Sequence, residues 1–211
     1  MDNNNRIKMT ARDEELIETL KMLKIMTSSQ IERLFFSHKS AQCRRCRQLV
    51  KHKKIKCHKD NDKPWEEVKY YYKRMPRQQV KSMLTVSEFY VRMKTLGIEI
   101  VDFQREYSIE IEKDFIIRPD ARIIVKHKDR EYEFLVEVDN TKCFSADKYY
   151  KAIKSGFKCP PIIAISNHPI RVYAGMHVIK MDMSWFLFSR TMKVIWLIKF
   201  KKHTIKRLTA L

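Results

Sequence analysis

The stretch KSAQCRRCRQLVKHKKIKCHK, residues 39–59, decides how the first part of this chain folds. It contains nine Lys or Arg residues and no Asp or Glu. Cys46, Leu49 and Val50 lie about one helical turn apart, so a helix over this stretch would bury them on one side. The polar side chains that then point away from that apolar stripe are Arg44, Arg45, Arg47, Gln48 and Lys51.

A helix with an apolar back and a front of Arg, Lys and Gln has the chemistry to bind in a DNA groove. Arginine can bond guanine with two hydrogen bonds, glutamine can do the same to adenine, and lysine neutralises phosphate. The alternative is an ordinary helix with a solvated basic face. The neighbouring sequence favours DNA.

The bulk composition also indicates a polyanionic partner. The chain has 211 residues, a formal net charge of +19 and a pI of about 9.8, which favours nucleic acid first and an anionic membrane surface second. The N-terminus lacks the apolar core of a signal peptide, and the apolar stretch 185–200 is interrupted by three basic residues. We therefore expect no membrane segment and a cytoplasmic location.

The five cysteines are an odd number in a chain of this kind, so we expect reduced thiols. Cys43, Cys46, Cys57 and His58 could form a zinc site, but their spacing matches no common zinc finger. Because Cys46 falls on the apolar stripe, small buried hydrophobic residues are the favoured interpretation.

The sequence around the basic stretch predicts a winged helix-turn-helix domain over residues 1–75. Thr10 can cap a first helix over 11–26, and Thr27 with Gln30 fits the capping-box spacing of a second helix that starts near Ser28. The basic helix follows a short polar turn. Two alternating segments on either side of a polar loop then predict a two-stranded hairpin, the wing. The alternative is a small helical domain that binds protein.

The predicted DNA contacts fall into three groups. Helix starts would contact phosphates through Thr27, Ser28, Ser29, Gln30 and Ser40. The basic helix would face base edges with Arg44, Arg45, Arg47 and Gln48. The wing and the end of the helix would contact the DNA backbone through Lys51, Lys53, Lys54, Lys56 and Lys69.

Residues 76–82 are predicted to be a connector, and 83–211 an α/β domain with a mixed sheet. An amphipathic helix over 84–96 is followed by a meander of strands and a helix over 146–155. The run PPIIAIS, residues 160–166, is apolar on both faces and predicts a buried central strand. A helix near Ser184 and a strand over 194–200 are expected in the tail. The overall class is α+β.

Three acids in the second domain have the spacing of a Mg²⁺ site. Glu137 and Asp139 are two residues apart on one predicted strand, and Asp120 heads its neighbour. The pattern is similar to PD-(D/E)-x-K nucleases, but Asp139 occupies the lysine position, which Lys142 or Lys151 would have to supply. Asp120, Glu137 and Asp139 are therefore the candidate catalytic residues of a nuclease. Because the motif lysine is missing, the favoured interpretation is a catalytically inactive, nuclease-like scaffold in which nearby Arg118, Arg122 or Lys126 pair with the acids. We expect no cofactor, with Mg²⁺ at these acids as the alternative.

Taken together, these segments resemble the replication-relaxation family of plasmids, phages and integrative elements. The matching stretches are the opening helices, SAQCRRCRQLVKHKKIK, MLTVSEFYVRMKTLG, RPDARIIV, FLVEVDNT and the helix of Tyr149 and Tyr150. The resemblance extends to about residue 166, and it departs where Lys53 and Lys54 replace a glycine after the third helix. It implies a winged helix joined to a nuclease-like sheet.

The leading hypothesis is a double-stranded-DNA-binding accessory protein of a mobile element. The resemblance implies that it acts at an origin of replication or transfer (conjugation), with a relaxase or replication initiator as partner. The second hypothesis is a metal-dependent endonuclease that the winged helix targets, and the third is a transcriptional repressor. Homo-oligomers fit all three hypotheses.

Overall fold

The computed structural model describes residues 7–62, 67–75, 79–139, 144 and 146–182. Within these ranges the protein belongs to the α+β class, as expected. The tail elements predicted near Ser184 and over 194–200 lie outside the described residues. No helix within the described ranges is long and apolar enough to cross a membrane.

The first part of the chain contains three helices and a small antiparallel sheet. The helices are α1 (Ala11–Leu23), α2 (Ser28–Phe35) and α3 (Lys39–Lys51). The strands are β1 (Ile25–Thr27), β2 (Lys56–His58) and β3 (Lys69–Tyr71), in the order β1-β3-β2. Two strands were predicted here, and β1 is an addition.

The added strand shortens the first helix. Thr10 caps α1, and Thr27 with Gln30 forms the capping box of α2, as predicted. Asp13 completes a capping box with Thr10 that was not predicted. However, α1 ends at Leu23 and not near residue 26, because the next residues extend and pair with β3. Helical propensity alone does not reveal this pairing, which depends on a partner more than forty residues away in sequence.

The second part of the chain is a five-stranded mixed sheet between two helices. The helices are α4 (Val80–Thr95) and α5 (Asp147–Lys154). The sheet runs in the order β10-β9-β8-β7-β4, with β4 (Glu99–Arg105), β7 (Ala121–His127), β8 (Arg130–Asp139), β9 (Ile162–Ser166) and β10 (Val178–Met181). A separate hairpin contains β5 (Ile109–Glu112) and β6 (Phe115–Ile117).

The predicted central strand is confirmed. All five residues of β9 are buried, and β9 pairs in parallel with both β8 and β10. The neighbouring pairs β7–β8 and β4–β7 are antiparallel, so the sheet is mixed.

One hydrophobic core runs through both parts of the chain. Leu20 and Ile31 from the first part, Phe89 of α4, and Ile123 and Val136 of the sheet belong to one buried cluster. A second cluster lies on the opposite face of the sheet, under α5. The division at residues 76–82 therefore remains a prediction, and α4 packs against elements on both sides of it.

Candidate nucleic-acid interface

Helix α3 is anchored by a narrow buried stripe. Cys46 and Leu49 are fully buried, as predicted, and Val50 packs against the same core while partly exposed. Burial raises the pKa of the Cys46 thiol to about 11. Cys46 therefore behaves as a small hydrophobic residue, which is the interpretation that the sequence favoured.

A row of polar side chains lies on the opposite side of α3. At roughly 100° per residue they fall within an arc of about 100°, and all are exposed. We name this row the α3 basic face, and it consists of Ser40, Arg44, Arg47, Gln48 and Lys51. Helix α2 and α3 are joined by a turn of three residues, 36–38, and contact each other.

Arg45 does not belong to this face, which corrects its predicted role at base edges. Its guanidinium forms two bonds with the buried Asp13 carboxylate of α1, at 2.9 and 2.5 Å, and a third with the Lys8 carbonyl at 2.7 Å. Burial acts to raise the pKa of Asp13, but hydrogen bonds from Arg45 and Thr10 outweigh it and lower the pKa to about 2. Arg45 therefore fixes α3 to α1.

Gln42 is a structural residue that sequence reasoning missed. It is fully buried, one helical turn before Cys46, and its Nε2 donates to the Cys46 sulfur at 3.3 Å. Its Oε1 accepts a hydrogen bond of 2.9 Å from Ser28 at the start of α2. Gln42 lies four residues before Cys46, and this spacing indicates a buried position on the same side of the helix. Glutamine was not assigned to the core because its side chain is polar.

The start of α2 is less open than predicted. Gln30 is buried, and its Nε2 donates to the Leu84 carbonyl and to Glu88 of α4, each at 3.2 Å, so its predicted phosphate contact is wrong. The Ser29 hydroxyl donates to Glu67 at 2.8 Å. Thr27, Ser28 and Ser29 are half-buried, and Thr27 Oγ1 accepts the Gln30 backbone N–H.

The lysines that follow α3 remain at the surface. Lys53, Lys54 and Lys56 are exposed, whereas Lys69 of β3 is half-buried. The backbone of Lys53 has a φ of +56°. The Lys53 N–H donates to the Val50 carbonyl at 2.9 Å, and the Lys54 N–H donates to the Leu49 carbonyl at 2.8 Å. This is the Schellman helix ending, in which glycine is the usual residue.

The second predicted site is brought together on the α5 face of the sheet. Asp120 precedes β7 and Glu137 lies opposite it on β8, with Asp139 two residues further on. The Asp120 Oδ2 accepts a hydrogen bond from the Val138 backbone N–H at 2.7 Å. Burial raises the pKa of Asp120, and the nearby Asp139 adds to that effect. We name these three residues the acidic cluster.

Lys148 places a cation beside Glu137, a position that the sequence had assigned to Lys142 or Lys151. Lys148 belongs to α5 and places its Nζ 2.6 Å from Glu137 Oε1, and the buried Tyr149 hydroxyl donates to the same oxygen. Burial raises the pKa of Glu137 even though both partners oppose it. Lys142, one of the two lysines suggested by sequence, lies outside the described residues.

Arg105 of β4 joins the sheet to the first part of the chain. Its Nη1 donates to the carbonyl of Leu23, the last residue of α1, at 2.6 Å. Burial lowers the pKa of Arg105, and the negative charges of Glu106 and Asp120 oppose that effect. Arg122 was predicted to pair with the acidic cluster. This prediction is wrong, because Arg122 pairs with Asp102 and Glu133.

The acidic cluster does not fit a Mg²⁺ ion as arranged. Within the described ranges, no group of three or more His, Cys, Asp or Glu side chains has an arrangement that could hold a metal ion, and this holds for Cys43, Cys46, Cys57 and His58 as well. One oxygen of Glu137 and one of Asp120 already accept protein hydrogen bonds. Protein groups thus compensate these carboxylates.

No protein-family model matches the chain, and no curated protein matches it either. The resemblance to the replication-relaxation family therefore remains a prediction.

Proposed function

We propose that this protein binds double-stranded DNA through a winged helix-turn-helix formed by α1–α3 and the sheet β1-β3-β2. In this arrangement α3 enters the major groove, and β2 and β3 form the wing beside the flanking backbone. The observation that carries the proposal is the α3 basic face. It presents Arg44, Arg47, Gln48 and Lys51 outward on a helix whose other side is locked to the core.

Rigidity supports specific binding by this face. Arg45 holds α3 to α1, and Gln42 holds it to the start of α2. A recognition helix that is fixed before binding loses less conformational entropy on contact, and its arginines meet base edges in one register. The three-residue turn between α2 and α3 also suits a helix-turn-helix.

The charge of the chain supports the same function. A net charge of +19 attracts the phosphate backbone at long range, and the exposed Lys53, Lys54 and Lys56 continue the basic surface from Lys51 at the end of the α3 basic face. The charges are thus placed for two tasks. Arginine and glutamine at the centre select bases, and lysines at the side neutralise phosphates.

The second part of the chain is proposed to be a nuclease-like scaffold that positions the winged helix and contacts a partner protein. The compensated carboxylates of Glu137 and Asp120 favour this role over the alternative, a metal-dependent endonuclease. Supercoiled plasmid incubated with the protein and Mg²⁺ or Mn²⁺ should stay intact. Nicking that disappears in Asp120→Ala and Glu137→Ala would favour the endonuclease.

The biological setting comes from the resemblance alone. On that basis we propose an accessory role at the replication or transfer origin of a plasmid, phage or integrative element, beside a relaxase or initiator. A transcriptional repressor is the alternative. A footprint on the DNA that flanks the gene separates the two, because protection at an origin supports the accessory role and protection at a promoter supports the repressor.

Duplex binding itself is tested by selecting sites from a random pool and measuring their affinity by fluorescence anisotropy across a salt series. With about four lysine–phosphate contacts, log K should fall against log salt with a slope of about −3 to −4. A selected site should bind at least about a hundredfold more tightly than a scrambled duplex. Equal affinity for the selected and the scrambled duplex would mean that the α3 basic face binds DNA only through charge and does not recognise a base sequence.

A further inference from the structure

A second basic feature lies beside the α3 basic face, in a cavity of about 510 Å³. We name it the lysine cavity. Four lysines line it, namely Lys53, Lys54, Lys56 and Lys73. Among its described lining residues none is acidic. Four lysines in the lining of one cavity, with no acidic residue among the described lining, make it electropositive, and this favours a bound anion.

The remaining wall of the lysine cavity is apolar and aromatic. It is formed by Met9, Ile17 and the ring of Tyr72. The Nζ atoms of Lys21 and Lys73 lie 5.0 and 5.8 Å from the centre of the Tyr72 ring. Glu18 neutralises Lys21 by an ion pair of 2.5 Å. The net positive charge of the cavity therefore comes from the four lysines of its lining. A cationic rim beside an apolar wall suits an anion that also carries a flat ring.

The backbone at Lys53 gives a second, independent observation. Its φ of +56° lies in the left-handed region, which glycine adopts without steric cost and which strains a residue that has a Cβ atom. The Schellman ending of α3 requires this conformation, yet the residue there is a lysine that lines the cavity. Strain of this kind persists where the surroundings enforce it, and it concentrates at ligand-binding sites.

From these observations we propose that the lysine cavity binds a phosphorylated nucleoside, such as a nucleoside triphosphate. The base stacks on Tyr72 and packs against Ile17, and the phosphates meet Lys53, Lys54 and Lys56. The cavity volume falls within the range of small-molecule sites. Inorganic phosphate would use only the lysines, whereas a nucleotide uses both walls.

Occupation of the cavity would also regulate DNA binding, and this consequence rests on the function proposed above. Lys53, Lys54 and Lys56 are the lysines proposed to neutralise the DNA backbone. A bound triphosphate neutralises them first, so the affinity for duplex should fall as nucleotide is added. The coupling is reciprocal, and duplex should weaken nucleotide binding by the same factor.

The test uses ATP and inorganic triphosphate as probes, titrated by calorimetry into the full chain without Mg²⁺. ATP should bind saturably and more tightly than triphosphate. Tyr72→Leu should weaken ATP about tenfold while leaving triphosphate unchanged, and Tyr72→Phe should retain ATP binding. Absence of saturable ATP binding, or equal affinity for both probes with no effect of Tyr72→Leu, would overturn the proposal.

Position 53 offers a variant that cannot be explained by misfolding. Lys53→Gly removes the charge and also relieves the strained φ, so it should raise the melting temperature while weakening ATP binding several-fold. The matched control is Lys128→Gly, which removes a charge at an exposed residue with a φ of +48° outside the cavity. It should leave ATP binding unchanged. Equal ATP affinity in Lys53→Gly and wild type would count against the site.

Two further experiments complete the test. The first identifies the source of the phosphorylated ligand, and the second distinguishes nucleotide binding in the lysine cavity from duplex binding by the α3 basic face. A 5′-phosphorylated dinucleotide that binds as tightly as ATP and depends equally on Tyr72 would support the same chemistry with a strand end as its source. The Arg44→Ala/Arg47→Ala variant should lose duplex binding and keep ATP binding. If the wild-type protein bound ATP but no duplex, the proposed DNA-binding function would be contradicted, while the proposal for the lysine cavity would be supported.

Discussion

The α3 basic face and the acidic cluster are both groups of charges on a rigid element, but they differ in what surrounds them. Arg44 and Arg47 of α3 point into solvent. In contrast, Glu137 contacts Lys148 and Tyr149, and Asp120 accepts a hydrogen bond from the backbone of β8. An exposed charge keeps its hydration and is available to a ligand, whereas a buried charge must be compensated internally. The first arrangement leaves the charges available to a ligand, and the second leaves the carboxylates occupied by groups of the protein itself.

The largest effect should come from removing the two arginines at the centre of the α3 basic face. Each arginine that bonds a guanine contributes about 1–3 kcal/mol, so Arg44→Ala/Arg47→Ala should weaken binding to a selected duplex by at least about thirtyfold. The melting temperature should hardly change, because both side chains are exposed. Fluorescence anisotropy and thermal melting measure the two quantities.

A double variant of two lysines in the second part of the chain, Lys113→Ala/Lys126→Ala, serves as the matched control. Both residues are exposed and lie outside α3 and the lysine cavity. It removes the same formal charge and should cost less than about threefold in affinity. An equal loss in both double variants would show that net charge alone drives binding.

Asp13→Asn tests the inward-facing charge pair of α3. The substitution leaves Arg45 without its buried partner and should lower the free energy of unfolding by about 2–3 kcal/mol. Because the pKa of Asp13 is lowered to about 2, its contribution to the free energy of unfolding is complete above its ordinary pKa of 3.8 and is lost as pH falls through about 2. Urea unfolding at pH 7 and pH 2.5 measures this difference, which should shrink at the lower pH. A constant difference would contradict the pairing.

Tyr149→Phe should have a smaller effect on stability. It removes one hydrogen bond to Glu137 and leaves that carboxylate with Lys148, so the loss should be about 1–2 kcal/mol. Tyr150→Phe is the matched control, since Tyr150 lies on the same helix and is only half-buried. Urea unfolding compares the two. Duplex binding should be unchanged in both, and a loss of binding in Tyr149→Phe alone would mean that the acidic cluster takes part in DNA contacts.

The smallest effect is expected from Glu137→Gln, and it depends on pH. The pKa of Glu137 is raised above 4.5, so its ionisation costs stability as pH rises through the folded pKa. Glutamine does not ionise. The variant should therefore gain stability relative to wild type as pH rises from about 4.5 towards 7, which a urea titration series can measure. The opposite trend would mean that Lys148 and Tyr149 outweigh burial.

Local sequence signals predicted most of the elements. The capping boxes at Thr10 and Thr27, the apolar stripe of α3 and the two-sided apolar run of β9 each act within a few residues, so their outcome can be read from the chain. Strand β1 was missed, because its three residues extend only through pairing with β3. Lys148 was missed for the same reason, since α5 reaches Glu137 only when packed on the sheet.

The sequence by itself determined that the chain is basic, that α3 has an apolar back, and that Glu137 and Asp139 lie on one face of one strand. The tertiary structure alone decided which charges remain available. Arg44 and Arg45 are neighbours of identical chemistry, yet Arg44 faces solvent and Arg45 bonds Asp13. The physical reason is that the free energy of a charged group depends on its dielectric surroundings and its partners, and distant segments of the chain supply both.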